Sequence, residues 1–226
     1  MTRSISADQP AFAGEGGNSE RKRRAILEAA MSVFLKSGYL GASMDEIAAM
    51  AQVSKQTVYK QFSNKESLFV GIVTSMTDTA SDTVHNDVPE LIESGAVADF
   101  LQSYALRQLT VVLTPPLMQL RRLVIGEVSR FPDLARILYE RGPQRAIASF
   151  ARVLEHLAAR GLLTIDDPKI AASHFNWLVM SEPLNRAMLL GDHTIPKPPV
   201  LRRHAAECVR VFLAAYGRKS TSSGSR

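Results

Sequence analysis

The stretch from Met44 to Phe62 most narrows what this chain can become. Met44, Ile47, Ala48 and Ala51 form an apolar stripe two helical turns long, and beyond the turn AQVS a second short stripe holds Val58 and Phe62. Helices this short are not stable alone in water, because the first turn fixes many dihedrals for few hydrogen bonds. Both must pack on a longer partner. Ile26, Ala29, Ala30, Val33 and Phe34, at i, i+3, i+4, i+7 and i+8, supply one upstream. The expectation is a three-helix platform.

The same helical spacing recurs along most of the 226 residues, with no alternating strand pattern and no Asn-Gly hairpin signal. The predicted fold class is all-α, with about nine helices at 20–37, 44–51, 55–61, 64–86, 96–113, 116–129, 132–160, 167–190 and 199–217. Ser43 with Glu46, and Ser63 with Glu66, read as capping boxes, and Gly38 reads as a C-terminal stop. Gly142-Pro143 is expected to kink or split the seventh helix, and Pro183 to bend or shorten the eighth. The Gly/Ser/Ala-rich residues 1–18 and the closing residues 218–226 read as disordered tails. Between them the reading divides 19–66, a compact unit of short helices, from 67–217, a longer all-helical region.

At 46% hydrophobic the chain can bury a substantial core, which excludes wholesale disorder. No apolar run is long enough to span a bilayer, and MTRSISADQPAFAGEGGNSE lacks the apolar middle of a secretory signal, so the expected location is cytoplasmic without membrane partners. The single cysteine, Cys208, lies in an apolar helical stretch and reads as a buried inert thiol. GEGG at 14–17 follows no strand and opens no phosphate loop. The five histidines show no HExxH, and there is no nucleophile elbow, so neither metal, cofactor nor catalytic residues are expected. His174 reads as a hydrogen-bonded interior or pocket-wall residue.

The net charge is +5, and its placement says more than its size. Between Glu20 and Lys65 eight Lys and Arg stand against four acids, so nearly all the excess lies in the first quarter. With Ser54 as N-cap, the helical rotation turns Val58 and Phe62 inward and leaves Gln56, Thr57, Tyr59 and Lys60 on the opposing arc. Short and medium polar side chains near a helix N-terminus suit base edges in a major groove. Lys65 lies where an N-terminal amide cluster favours the same phosphate that its ammonium would reach.

These residues carry a resemblance. RRAILEAAMSVFLKSGYLGASMDEIAAMAQVSKQTVYKQFSNKESLF, residues 23–69, resembles the N-terminal domain of TetR-family transcriptional regulators. Its marks are the arginine before Ile-Leu-x-Ala-Ala, the Phe and Gly-Tyr at the helix end, Ser-Met-Asp-Glu-Ile-Ala, Val-Ser-x-x-Thr-Val-Tyr-x-x-Phe and Lys-Glu-x-Leu. Gln52 departs from the pattern, since many relatives carry Gly there; if the turn needs positive φ, Gln adopts it at a cost. The resemblance implies that 19–66 is a DNA-binding helix-turn-helix in which Ser43, Lys55, Gln56, Thr57, Tyr59, Lys60 and Lys65 contact double-stranded operator DNA, Tyr59 and Lys65 through phosphates. Arg21, Lys22, Arg23 and Arg24 grip the backbone, enter the minor groove as an arm, or merely solvate a helix start.

Downstream, RRLVIGEVSRFPDLARILYERGP and ARGLLTIDDPKIAASHFNWL are similar to the C-terminal domain of the AefR-like branch, which is associated with control of efflux and stress genes. The resemblance implies a homodimer paired through the eighth and ninth helices, with Phe175, Leu178, Val179, Val209, Phe212 and Leu213 as candidate interface or intrachain core. Phe100, Tyr104, Met118, Leu123, Phe150, His174, Trp177 and Met180 are candidate walls of a pocket for a small effector, or core. Of Arg121 and Arg122, one pairs with Glu127 or Glu182 or meets an anionic ligand group; Arg122 is counted with the pocket. A ligand-responsive repressor on a palindromic operator is the favoured reading, over a helical enzyme or a basic module on membranes or partners.

Overall fold

In the computed structural model, which describes residues 15–85 and 96–218, the first helix begins at Glu15 rather than at residue 20. The tail expectations for 1–14 and 219–226 lie outside the described residues. Helix α1 (Glu15–Gly41) is interrupted at Gly38, whose φ of 72° no β-carbon residue adopts easily, so the predicted stop is where the regular helix breaks. Helices α2 (Met44–Met50) and α3 (Lys55–Gln61) follow, each seven residues long. Ser43 Oγ accepts from the Glu46 N–H at 3.1 Å and Ser54 Oγ accepts from the Thr57 N–H at 3.1 Å, so both short helices start on side-chain caps.

Between α2 and α3 the Val53 N–H bonds the Ala48 carbonyl and the Gln52 N–H that of Ala49, the two bonds that close a helix with a left-handed residue after its cap. That residue is Gln52, at φ 54°. An L side chain there costs roughly 1 kcal/mol, so Gln52→Gly is expected to stabilise the protein by about 0.5–1 kcal/mol, read as a rise in denaturant midpoint. An unchanged or lower midpoint would count against strain at this turn.

Helix α4 (Lys65–His85) starts differently from the expected Ser63 and Glu66 box. Asn64 Oδ1 accepts from the Ser67 N–H at 2.7 Å, and Ser67 Oγ accepts from the Asn64 N–H at 3.2 Å. The reciprocal box is therefore one residue later, with Asn as cap and a serine hydroxyl in the returning role.

The chain divides into two compact units, Met1–Ile72 and Val73–Arg226, and the division falls within α4. In the first, Ile26, Ala30, Val33, Phe34, Ile47, Val58, Leu68 and Phe69 are fully buried. Phe34, Tyr39 and Phe69 form a mutual aromatic cluster with centroids 5.5–5.9 Å apart, tying the end of α1 to α4.

The second unit contains α5 (Val97–Val112), α6 (Pro115–Glu127), α7 (Pro132–Tyr139), α8 (Arg145–Ala159), α9 (Pro168–Leu190) and α10 (Pro198–Tyr216). The predicted seventh helix is split, as α7 passes into α8 through a π-helical turn, Glu140–Gln144, around Pro143. Pro183 does not shorten α9, which runs on to Leu190 with Pro183 buried. Asp167 caps α9 by accepting from the Lys169 and Ile170 N–H groups at 2.8 and 3.1 Å. The core is a run of rings: Tyr104 stacks on Phe150 at 4.2 Å, Phe150 lies 4.6 Å from Phe175, and Phe175 meets Phe212 edge-on at 5.1 Å. Those four residues come from α5, α8, α9 and α10 in turn. The described residues are almost wholly helical, with one isolated bridge between Leu163 and Gly217.

Candidate nucleic-acid interface

Helix α3 is fixed from beneath by two side chains. Val58 is fully buried and Phe62 is 4% exposed, whereas Lys55, Gln56, Tyr59 and Lys60 are exposed and Thr57 is half-buried. Thr57 is turned partly inward because its hydroxyl bonds Ser54 Oγ at 2.8 Å, at the cap. Phe62 is clamped in turn. The Arg23 guanidinium lies 4.7 Å above its ring, and a β-carbon on Gly71 would stand 2.7 Å from its Cε1. Glycine at 71 lets α4 approach the ring that carries α3. Gly71→Ala is accordingly expected to cost about 1–3 kcal/mol by overpacking, measured as lost stability of the folded chain, and a Gly71→Ala variant as stable as wild type would contradict this packing.

The cations around this face differ in their state. Lys55 Nζ lies 2.7 Å from Asp45 Oδ1, an exposed pair between α2 and α3; its hydrogen bond and charge hold the ammonium's pKa above the ordinary lysine value. Lys60 and Tyr59 stand out from α3 into solvent. Lys65 is turned back: its ammonium donates to the Leu40 and Ala42 carbonyls at 3.1 and 3.0 Å and lies 5.0 Å from the centre of the Tyr39 ring. It fastens the turn after α1, a use that its N-terminal position on α4 did not suggest. Ser43 is occupied as the α2 cap.

Arg21, Lys22, Arg23 and Arg24 lie within regular α1, so they form a helical cationic face and not an extended arm. Arg21 Nη2 donates to Asn18 Oδ1 at 3.3 Å, Arg24 lies 3.8 Å from Glu28, and Arg23 is the residue packed on Phe62. The minor-groove option is thereby corrected: a helix two turns into its length has no free strand to lay in a groove. The support that Arg23 gives α3 is not legible in the sequence, which shows its charge and not its aromatic neighbour.

A basic α1, a capped α2, a left-handed turn and a capped helix with a polar outward arc are thus assembled in one unit. Residues 26–72 match the family model described as bacterial regulatory proteins, tetR family, and residues 99–218 match that of the AefR-like transcriptional repressor, C-terminal domain. The chain belongs to the TetR family of transcriptional regulators. A solved TetR-family regulator from Mesorhizobium loti is 40% identical, with 88% of this chain and 98% of that one covered and a TM-score of 0.79. The flavonoid-responsive regulator FrrA is 30% identical over 89% of this chain and all of its own, at a TM-score of 0.72. The DNA-binding transcriptional repressor TetR of Mycobacteroides abscessus is 28% identical over 150 residues, 66% of each chain. Other curated relatives match over shorter spans, as in the activator FasR of Mycolicibacterium smegmatis, where 31% of its length is covered. The regulator is a DNA-binding protein, and its relatives are regulators rather than enzymes.

In the regulator's second unit the structure redistributes the candidate residues. Phe100, Tyr104, Met118, Phe150 and Met180 are buried and Leu123 is half-buried. Trp177 is not an interior wall: it is 45% exposed. His174 is exposed too, with Nδ1 2.6 Å from the Tyr216 hydroxyl of α10. Arg122 pairs with neither Glu127 nor Glu182. Its Nη2 meets Asp192 Oδ1 at 2.5 Å and its Nη1 donates to the Ala187 carbonyl at 2.9 Å, while Gln119 Nε2 also bonds Asp192, at 2.6 Å. These bonds fasten α6 to the end of α9 and hold the Asp192 carboxyl below the usual aspartate range. Glu182 is taken by Arg186 at 2.7 Å.

Of the dimer candidates, Phe175, Val179, Val209 and Phe212 are no more than 2% exposed within one chain, so they are core and unavailable to a partner. Leu178 and Leu213 are half-buried. The exposed apolar side chains of α9 and α10 are others: Ile170, Trp177, Leu189 and Leu190, with Val200 and Val211. Cys208 is buried, and desolvation, with a smaller contribution from Glu207, pushes its thiol up to about 11. It is expected to resist alkylation at neutral pH until the protein is unfolded, and rapid labelling of the native protein would contradict that burial.

Proposed function

We propose that the protein is a cytoplasmic, ligand-responsive repressor that binds a palindromic operator as a homodimer and is released by a small, mostly apolar effector. Residues 19–66 form the DNA-binding domain in this reading, and 67–217 the effector and dimerisation domain. The observation that carries it is the polar arc of α3, exposed above a Val58 and Phe62 anchor on two capped helices. Gln56 and Thr57 read base edges, Tyr59, Lys60 and Lys55 hold phosphates, and Arg21, Lys22 and Arg24 add a helical cationic flank. Ser43 and Lys65 stay in the contact set through the backbone that they fix, which presents the start of α2 and the turn before it.

Dimerisation uses the exposed face of α9 and α10 around Trp177 and Val211, and its two-fold axis sets the recognition helices about 34 Å apart. The effector binds within the second unit among the Phe100, Tyr104, Met118 and Phe150 side chains, and the flavonoid-responsive relative supports an aromatic, largely apolar molecule. Helix α4 carries the signal as one helix whose start belongs to the first unit and whose continuation belongs to the second. A differential affinity of about 1–3 kcal/mol loosens DNA roughly 5- to 150-fold, and linkage makes DNA weaken the effector equally.

The test is to map where the purified protein sits on its own genome, beginning with its own promoter. The expected result is an enriched inverted repeat with half-sites one helical turn apart. Enrichment without any repeat, or none at all, would count against a two-fold specific regulator.

A further inference from the structure

Hydrogen-bonding groups shut away from water without a partner gather on one turn of α5 and on the α9 residue bonded to it. Gln108 and Asn176 are 5% and 4% exposed, and Gln108 Nε2 donates to Asn176 Oδ1 at 2.7 Å. Two primary amides placed so can close a second bond, yet Gln108 Oε1 and Asn176 Nδ2 are both buried and unpartnered. One residue earlier, Arg107 Nε and Nη2 are also buried without an acceptor. No carboxylate among the described residues pairs with Arg107. Arg107 is half-buried as a residue, but these two donors are shut away from water, and a buried donor without a partner is costly, which makes this turn unusual.

The identity of the orphaned atoms matters. Nε and Nη2 are the adjacent pair on one edge of the guanidinium, the fork that meets a carboxylate side-on with two parallel bonds. Tyr104, Arg107 and Gln108 stand at i, i+3 and i+4, so their side chains leave α5 on one face. The Tyr104 ring stacks on Phe150 at 4.2 Å and lies 6.0 Å from Phe175, the neighbour of Asn176. The stacked Tyr104 ring therefore shares its face of α5 with the buried, unpartnered atoms of Arg107 and Gln108. On α6, Arg121 presents another buried Nε without a partner, on the inward stripe of Leu117 and Val124.

We propose that this turn is an oxyanion site: the effector has an apolar aromatic body and carries an anionic oxygen group, a carboxylate or acidic phenolate, held by the Nε–Nη2 edge of Arg107. Its adjoining polar atoms complete Gln108 Oε1 and Asn176 Nδ2, and its ring lies along Tyr104 and Phe150. The proposal rests on the effector reading above and narrows its ligand class.

The experiment compares 1-naphthoate with its uncharged isostere 1-naphthamide on the full chain, by calorimetry and by release of the mapped operator. Wild type is expected to prefer naphthoate by about tenfold or more, as a bond to a charged group warrants. Arg107→Gln should erase the preference by lowering naphthoate affinity alone, and Arg107→Lys, which keeps charge without the fork, should retain part of it. 1-Hydroxy-2-naphthaldehyde, an acidic phenol compared above and below its own pKa, separates phenolate from carboxylate. Equal binding of naphthoate and naphthamide, binding of neither, or a preference that survives Arg107→Gln overturns the site. If naphthamide binds and releases DNA as well as naphthoate, the effector reading stands and the oxyanion site falls. If naphthoate binds through Arg107 without releasing DNA, the site stands and the effector reading falls.

Discussion

Phe62→Ala is expected to abolish operator binding and to destabilise the protein by about 3–5 kcal/mol. The ring is 4% exposed, lies under the Arg23 guanidinium at 4.7 Å and fills the space that Gly71 leaves open on α4. Helix α3 has only seven residues and cannot hold itself, so removing the ring unseats Gln56, Tyr59 and Lys60 together. Arg23→Met, which keeps the aliphatic stem but not the cation, should lose only about 0.5–1 kcal/mol. Thermal unfolding with parallel DNA titration distinguishes the two. A Phe62→Ala variant that still binds its operator at wild-type affinity would show that α3 is not supported in this way.

The double variant Trp177→Glu, Val211→Glu is expected to sediment as a monomer at micromolar concentration and to lose about 100-fold or more in operator affinity, because two tethered half-site readers become two independent ones. Both side chains are nearly half exposed in the single chain, at 45% and 46%, so charge there perturbs a surface and not the core. Phe212→Ala behaves differently. With 2% exposure, the edge-on contact to Phe175 and the tilted ring contact to Tyr216 at 4.8 Å, its loss falls on folding, by about 3–5 kcal/mol. A dimer that survives both glutamates would place the two-fold contact elsewhere.

How far these features were legible depends on what fixes them. The α2 and α3 starts were readable because each signal is local, Ser43 and Ser54 capping the amides three residues on, whereas the left-handed turn at Gln52 was raised only by the family resemblance. The α4 cap moved from Ser63 to Asn64, because Asn64 and Ser67 close a reciprocal box that a search for Glu or Gln passes over. In α9 periodicity fails for a different reason. The helix is apolar nearly all round, with Phe175 and Val179 inside and Ile170 and Trp177 outside, so spacing alone gives no inward direction. Arg122 found Asp192, seventy residues away, and Lys65 found two carbonyls of the α1 turn; neither partner is visible without the fold.

The central claim, that the outward arc of α3 reads sequence, is tested most directly by titrating wild type and Gln56→Ala against the mapped operator and a scrambled duplex of equal length at one salt concentration. The expected result is a loss of about 1–3 kcal/mol on the operator and none on the scrambled duplex, so that specificity falls while electrostatic affinity stays. Equal affinities of both proteins for the operator, or an equal loss on both duplexes, would contradict it.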